Sequence, residues 1–148
     1  ALLKSETTNG QPAVALELPN GQVVTGKTSD LLGASSAALL NALKVLAGID
    51  DSALLIKREI IEPIQDLKTD FLGNRNPRLH TDEVLIALSM SATTSDIAKK
   101  AISELKNLAG SEAHSTVILS QIDADIFRKL GINLTCEPQY QSKKLYHK

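Results

Sequence analysis

The chain has 148 residues and a mass of 15.9 kDa, with 43% hydrophobic and 22% charged residues; this suits one domain burying roughly two-thirds of its unfolded surface and excludes long disordered or collagen-like stretches. Sixteen basic residues against seventeen acidic give a net charge of -1, so nothing pulls the whole chain toward nucleic acid or an anionic membrane. A single cysteine, Cys136, excludes an intrachain disulfide and a multi-cysteine zinc site, and no apolar run approaches the roughly 20 residues that span a bilayer. The expectation is a soluble, intracellular protein with an aliphatic core, since aromatics make up only 3% and Trp is absent.

Ala1 to Pro12 is polar and aperiodic, starts without Met, and reads as an arm or the severed end of a longer polypeptide. Val14, Leu16 and Leu18 then alternate with Ala15 and Glu17, Pro19-Asn20-Gly21 turns the chain, and Val23-Val24-Thr25 resumes β-rich sequence. This predicts a β-hairpin. From Leu31 to Ile49 apolar residues surround a narrow stripe of Gly33, Ala37, Asn41, Lys44 and Gly48, the pattern of a helix buried under a sheet. Asp50-Asp51-Ser52 offers N-cap chemistry for a second helical region, interrupted by Pro63 and ended by Gly73.

The basic, turn-forming segment from Gly73 to His80 leads into Val84-Leu85-Ile86-Ala87-Leu88, a continuous apolar run that predicts a central strand covered on both faces. Ser95-Asp96 caps an amphipathic helix closed by Gly110, and Val117-Ile118-Leu119 predicts the next buried strand. Asp123 is placed to cap a helix ending at Gly131, with Ile122 and Phe127 as a hydrophobic staple. Ile132 to Cys136 reads as the last strand, and Gln139 to Lys148 as a polar tail. Strands alternating with helices imply right-handed parallel crossovers. Together with the N-terminal hairpin this predicts an α/β three-layer sandwich over residues 13–138, with a mixed sheet of about five strands between helical layers.

Three strings resemble a known family: Thr25-Gly26-Lys27-Thr28-Ser29 with Leu31-Leu32-Gly33-Ala34; Leu72 to Glu83, reading LGNRNPRLHTDE; and Glu112-Ala113-His114-Ser115 running on to Leu134-Thr135-Cys136-Glu137-Pro138. They are similar to the C-terminal part of a bacterial family of cytoplasmic proteins described as domain of unknown function 1846, from the hairpin to Pro138. The resemblance implies that most of the protein lies upstream, that its upstream domains are partners of this one, and that the location is cytoplasmic. For fold it implies a three-layer domain similar to the cytidine-deaminase fold. It implies no particular reaction and leaves the cofactor unknown.

Gly21-Gln22-Val23-Val24-Thr25-Gly26-Lys27-Thr28 matches the P-loop expression letter for letter. Its first Gly sits in a hairpin turn and its centre is β-branched, so the loop that wraps phosphates is missing and a P-loop is rejected. A weaker form survives, in which Lys27, Thr28 and Ser29 with Ser35-Ser36 near a helix start hold an anion; the alternative is a strand end followed by ordinary capping serines. Zinc deamination requires His or Cys, a neighbouring Glu and a Pro-Cys-x-x-Cys pair. This chain has His80-Thr81-Asp82 and one cysteine, so that ligand set is excluded and no metal site is expected.

His80 and His114 each precede an expected buried strand, which places both imidazoles at the amino-terminal edge of the sheet as a candidate proton-transfer pair. The alternative is that each histidine caps a strand entry. Arg75 and Arg78 suit a bidentate carboxylate or phosphate, and suit equally a salt bridge to another domain. Cys136 reads as a small buried residue, and no aromatic platform for nucleic acid is present. The sequence therefore points to an anionic small-molecule site with His80 and His114 as catalytic candidates and Arg75, Arg78, Lys27 and Thr28 as anion-binding ones. The rival is a structural module, possible as a homo-oligomer, with no chemistry of its own.

Overall fold

The computed structural model describes residues 13–116 and 119–136, apart from the Cys136 side chain. The expectations for the opening arm, for Val117 and Ile118, for the Cys136 side chain and for the tail lie outside the described residues. The hairpin forms as expected: β1 (Ala13–Glu17) and β2 (Val23–Lys27) pair antiparallel, with Val14 opposite Gly26 and Leu16 opposite Val24. Gly21 makes the turn at φ 90, a conformation that costs glycine little. Next comes α1 (Ala34–Ala47), then α2 (Arg58–Asp66), which contains Pro63 and passes directly into a π-helical turn at Leu67–Phe71. The second half contains α3 (Thr81–Ser91), α4 (Asp96–Ile102), a short 3-10 turn (Leu105–Leu108), β3 (Glu112–Ser115), α5 (Gln121–Lys129) and β4 (Asn133–Cys136).

The strands form one mixed sheet in the order β2-β1-β3-β4. β3 and β4 are parallel and joined through α5, whereas β1 is antiparallel to both its neighbours. Val14, Leu16, Val24 and Ala113 share one face and meet Ala38, Leu39, Leu43, Leu88 and Phe127 of the helices in a single core. α1 lies so close to β2 that a Cβ on Gly26 would stand 2.2 Å from the Ala38 nitrogen. The second glycine of the P-loop-like string is thus a packing residue inside a strand. At the outer edge of β2, the Asn41 side-chain amide donates to the Thr25 carbonyl at 2.8 Å, satisfying a backbone group that would otherwise offer itself to another strand.

Three expectations are corrected. Val84–Leu88 is the middle of α3, not a central strand, so the described residues hold four strands rather than about five. Thr81, Val84, Leu88 and Ser91 are buried while Ile86 and Met90 are 61% and 62% exposed, a helical period that a five-residue apolar window cannot reveal. The start of the helix is set by polar chemistry, because the Glu83 carboxylate accepts the His80 backbone N–H at 2.8 Å.

β3 covers Glu112–Ser115, where half-buried Glu112 and His114 alternate with buried Ala113 and Ser115; of the strand expected at Val117–Leu119 only Leu119 is described, and it lies in a loop. α5 is capped by Ser120, whose hydroxyl accepts the Asp123 N–H at 3.2 Å, rather than by Asp123. With Ser120 as the N-cap, the staple positions fall at Leu119 and Ala124 rather than at Ile122 and Phe127.

Candidate functional site

Because β2, β3 and β4 run the same way, their carboxyl ends share one edge with the start of β1. A cavity of about 180 Å3 opens there, lined by Thr28 after β2, Ser115 at the end of β3, Ala34 and Ser35 at the start of α1, His80 at the start of α3, and Ser120 and Asp123 at the start of α5. In open α/β sheets this edge, where helix N-termini face strand ends, is where ligands are generally received. No described helix is long and apolar enough to cross a membrane. Among the described residues no three His, Cys, Asp or Glu side chains gather as metal ligands.

The start of α1 is open toward the cavity. Its N-cap is Gly33, which has no side chain to receive a first-turn N–H, and those groups have no intrahelical partners. Ser35 is 3% exposed, and neither its hydroxyl nor that of Thr28 has a hydrogen-bond partner among the described residues. Ser36 is different, since its hydroxyl donates to the Leu79 carbonyl at 2.9 Å.

His80 stands opposite α1, with Nδ1 3.7 Å from Asp123 Oδ2. Asp123 is itself pinned: its Oδ1 accepts the Thr81 backbone N–H at 3.0 Å and the Thr81 hydroxyl at 2.7 Å. The carboxylate thus ties the start of α5 to the start of α3 and faces the imidazole with its other oxygen. Asp123→Ala is expected to destabilise the protein by about 1–2 kcal/mol, the loss of these two bonds, whereas Asp123→Asn, whose amide oxygen keeps both, loses less than about 0.5 kcal/mol. Denaturant midpoints check this, and equal losses for the two variants would refute it.

His80 also lines a second, open basin of about 450 Å3, together with Lys68, Asn74, Arg75, Asn76 and Glu83. Lys68 is only 4% exposed and donates to Glu83 Oε1 at 2.8 Å and to the Arg78 carbonyl at 2.6 Å. Sequence reasoning missed this pair. A signal was present, since Ile61, Ile64 and Lys68 recur at helical spacing and put a lysine on an otherwise apolar stripe.

The expected site residues separate. His80, Thr28 and Arg75 line the two cavities that meet at His80. Arg78 instead donates through Nε to the Ser29 carbonyl, joining two loops. Lys27 is exposed and lines another cavity, of about 430 Å3, with Thr25, Asn41 and Asp51. His114 lies within β3, opposite Ala15 and Thr135, on the face turned away from Ala113 and Ser115. The two histidines were expected at the amino-terminal edge before paired strands. His80 instead opens a helix at the carboxyl edge, and His114 is not among the residues lining its cavities.

Over residues 1–146 the chain matches the family model described as domain of unknown function DUF1846, C-terminal. A UPF0371 protein of Corynebacterium glutamicum is 60% identical over 146 residues, which cover 99% of this chain and 30% of that protein. A UPF0371 protein of Streptococcus thermophilus is 57% identical over 148 residues, covering 100% of this chain and 30% of that protein. The chain therefore spans about 30% of the length of the curated relatives it matches. With the match extending across nearly the whole sequence, the chain belongs to the DUF1846 family as its C-terminal domain.

Proposed function

We propose that this domain contributes a binding site for an anionic small molecule at the carboxyl edge of its sheet, with His80 as the group that exchanges a proton with the ligand. The observation that carries this reading is the start of α1: an N-terminus without a side-chain cap beside the unpartnered hydroxyls of Ser35, a residue only 3% exposed, and of Thr28. First-turn N–H groups and hydroxyl donors suit a phosphate or carboxylate oxygen, and the helix dipole favours negative charge there. His80 faces these donors across the cavity, with its Nδ1 3.7 Å from Asp123 Oδ2. In this reading His80 acts without His114, and Arg78 supports the site by holding its loops together.

Inorganic phosphate titrated into the intact protein by calorimetry tests the proposal. Ser35→Ala combined with Thr28→Val is expected to weaken binding by about tenfold or more while leaving the melting temperature close to wild type. Unchanged affinity in the double variant, or binding of neither phosphate nor the carboxylate butyrate by wild type, overturns it.

The structural reading is favoured by a different observation, the exposure of Phe71 at 79% and Leu72 at 64%. In the intact protein we assign these side chains to contacts with upstream chain. The same proposal covers a three-layer arrangement similar to the cytidine-deaminase fold, with upstream chain over the sheet face that bears Ala15, His114 and Thr135.

A further inference from the structure

We infer that the ligand carries two anionic groups, one on each side of His80; this rests on the anion-binding reading of the α1 pocket. His80 lines both the hydroxyl pocket of about 180 Å3 and the basin of about 450 Å3, so the two cavities meet at a single side chain. A lone small anion held at the start of α1 leaves the basin empty, although the basin has binding chemistry of its own.

Arg75 supplies most of that chemistry. It is exposed in the basin and has no ion-pair or hydrogen-bond partner among the described residues. Its loop is held in place, because the Asn74 N–H donates to the Lys68 carbonyl at 2.8 Å and the Arg78 N–H to Asn76 Oδ1 at 3.0 Å. Lys68 commits two of its donors to Glu83 and the Arg78 carbonyl, which leaves an ammonium N–H at the basin wall.

The charges around His80 can be counted by element. Glu83 of α3 is matched by Lys68 of the π turn, and Asp123 of α5 faces the imidazole from the pocket side. Arg75 is then the uncompensated charge of the basin, and a guanidinium receives a phosphate or carboxylate through two parallel bonds. A compact molecule with such a group at each end reaches both donor sets past the imidazole, which lies where a proton on the connecting segment would be given or taken. The second group adds its binding energy at the high effective concentration that the connecting segment imposes.

Two probe pairs test this on the intact protein: inorganic phosphate against propanediol bisphosphate, and butyrate against glutarate. In at least one pair the two-headed probe is expected to bind at least about tenfold more tightly than its one-headed counterpart. Arg75→Ala is expected to erase that gain and to leave the one-headed affinity unchanged; the pair that responds tells phosphate from carboxylate. Binding of one-headed probes with no gain in either pair, or a gain that survives Arg75→Ala, overturns the two-anion inference alone. Absence of binding by both one-headed probes overturns the underlying pocket reading.

Discussion

Gly26→Ala is expected to destabilise the domain by about 3 kcal/mol or more, at the upper end for overpacking, and to leave little folded protein at 37 °C. The added Cβ would stand 2.2 Å from the Ala38 nitrogen, 2.7 Å from the Ala34 carbonyl oxygen and 2.7 Å from the Ala38 Cα. All three are backbone atoms of α1, so no side chain can rotate away. The helix must lift off β2, and with it the contacts of Val24, Ala38 and Leu39 in the core. Lifting α1 also moves Ser35 away from Thr28 and His80, which share one cavity only because helix and strand lie this close. Urea unfolding of the variant, followed by circular dichroism, measures the loss. A midpoint within experimental error of wild type would show that the close approach is not obligatory.

Lys68→Ala is expected to cost about 3 kcal/mol, within the range for breaking a buried ion pair by removing one partner, and to lower the melting temperature by roughly 8 °C. Lys68 is 4% exposed and Glu83 has a side-chain exposure of 26%, so water replaces the lost donor poorly. The same Glu83 oxygen accepts the His80 backbone N–H and the Lys68 ammonium, each at 2.8 Å. Loss of the lysine therefore loosens the start of α3 as well as the π turn. Lys68→Met retains most of the packing and is expected to lose about 2 kcal/mol, and adding Glu83→Gln to it recovers about 1 kcal/mol by removing the orphaned charge. A double variant less stable than Lys68→Met alone would assign the cost to packing rather than to the unpaired carboxylate. Phosphate affinity should fall with Lys68→Ala because His80 loses its fixed position on the pocket wall.

These two residues show how unevenly the chain could be read. The hairpin, α1, the helix capped by Ser95 and the last strand followed from local chemistry: strict alternation, a near-continuous apolar surface, and a cap hydroxyl that accepts the Ala98 N–H at 3.2 Å. Val84–Leu88 reads as a strand but folds as a helix, because a short apolar run carries no period of its own. The start of this helix is tied down by the long-range pairing of Glu83 with Lys68 and of Thr81 with Asp123; the apolar stripe marks Lys68 as a residue needing a partner, but no local pattern names either partner.

The site divides along the same line. Composition alone excluded an intrachain disulfide and a multi-cysteine metal set within this chain, because these depend only on which residues are present. The sequence also supplied His80, Thr28 and Arg75 as residues of the right chemistry, and a serine pair near a helix start. Only the tertiary structure decided which of them meet. Turning one expected strand into a helix moved His80 to the opposite edge of the sheet, beside the opening of α1 and away from any pairing before parallel strands with His114. Helix and strand differ by a rotation of about 80° per residue in where successive side chains point. A single change of element therefore reassigns every neighbour that its first residue can reach.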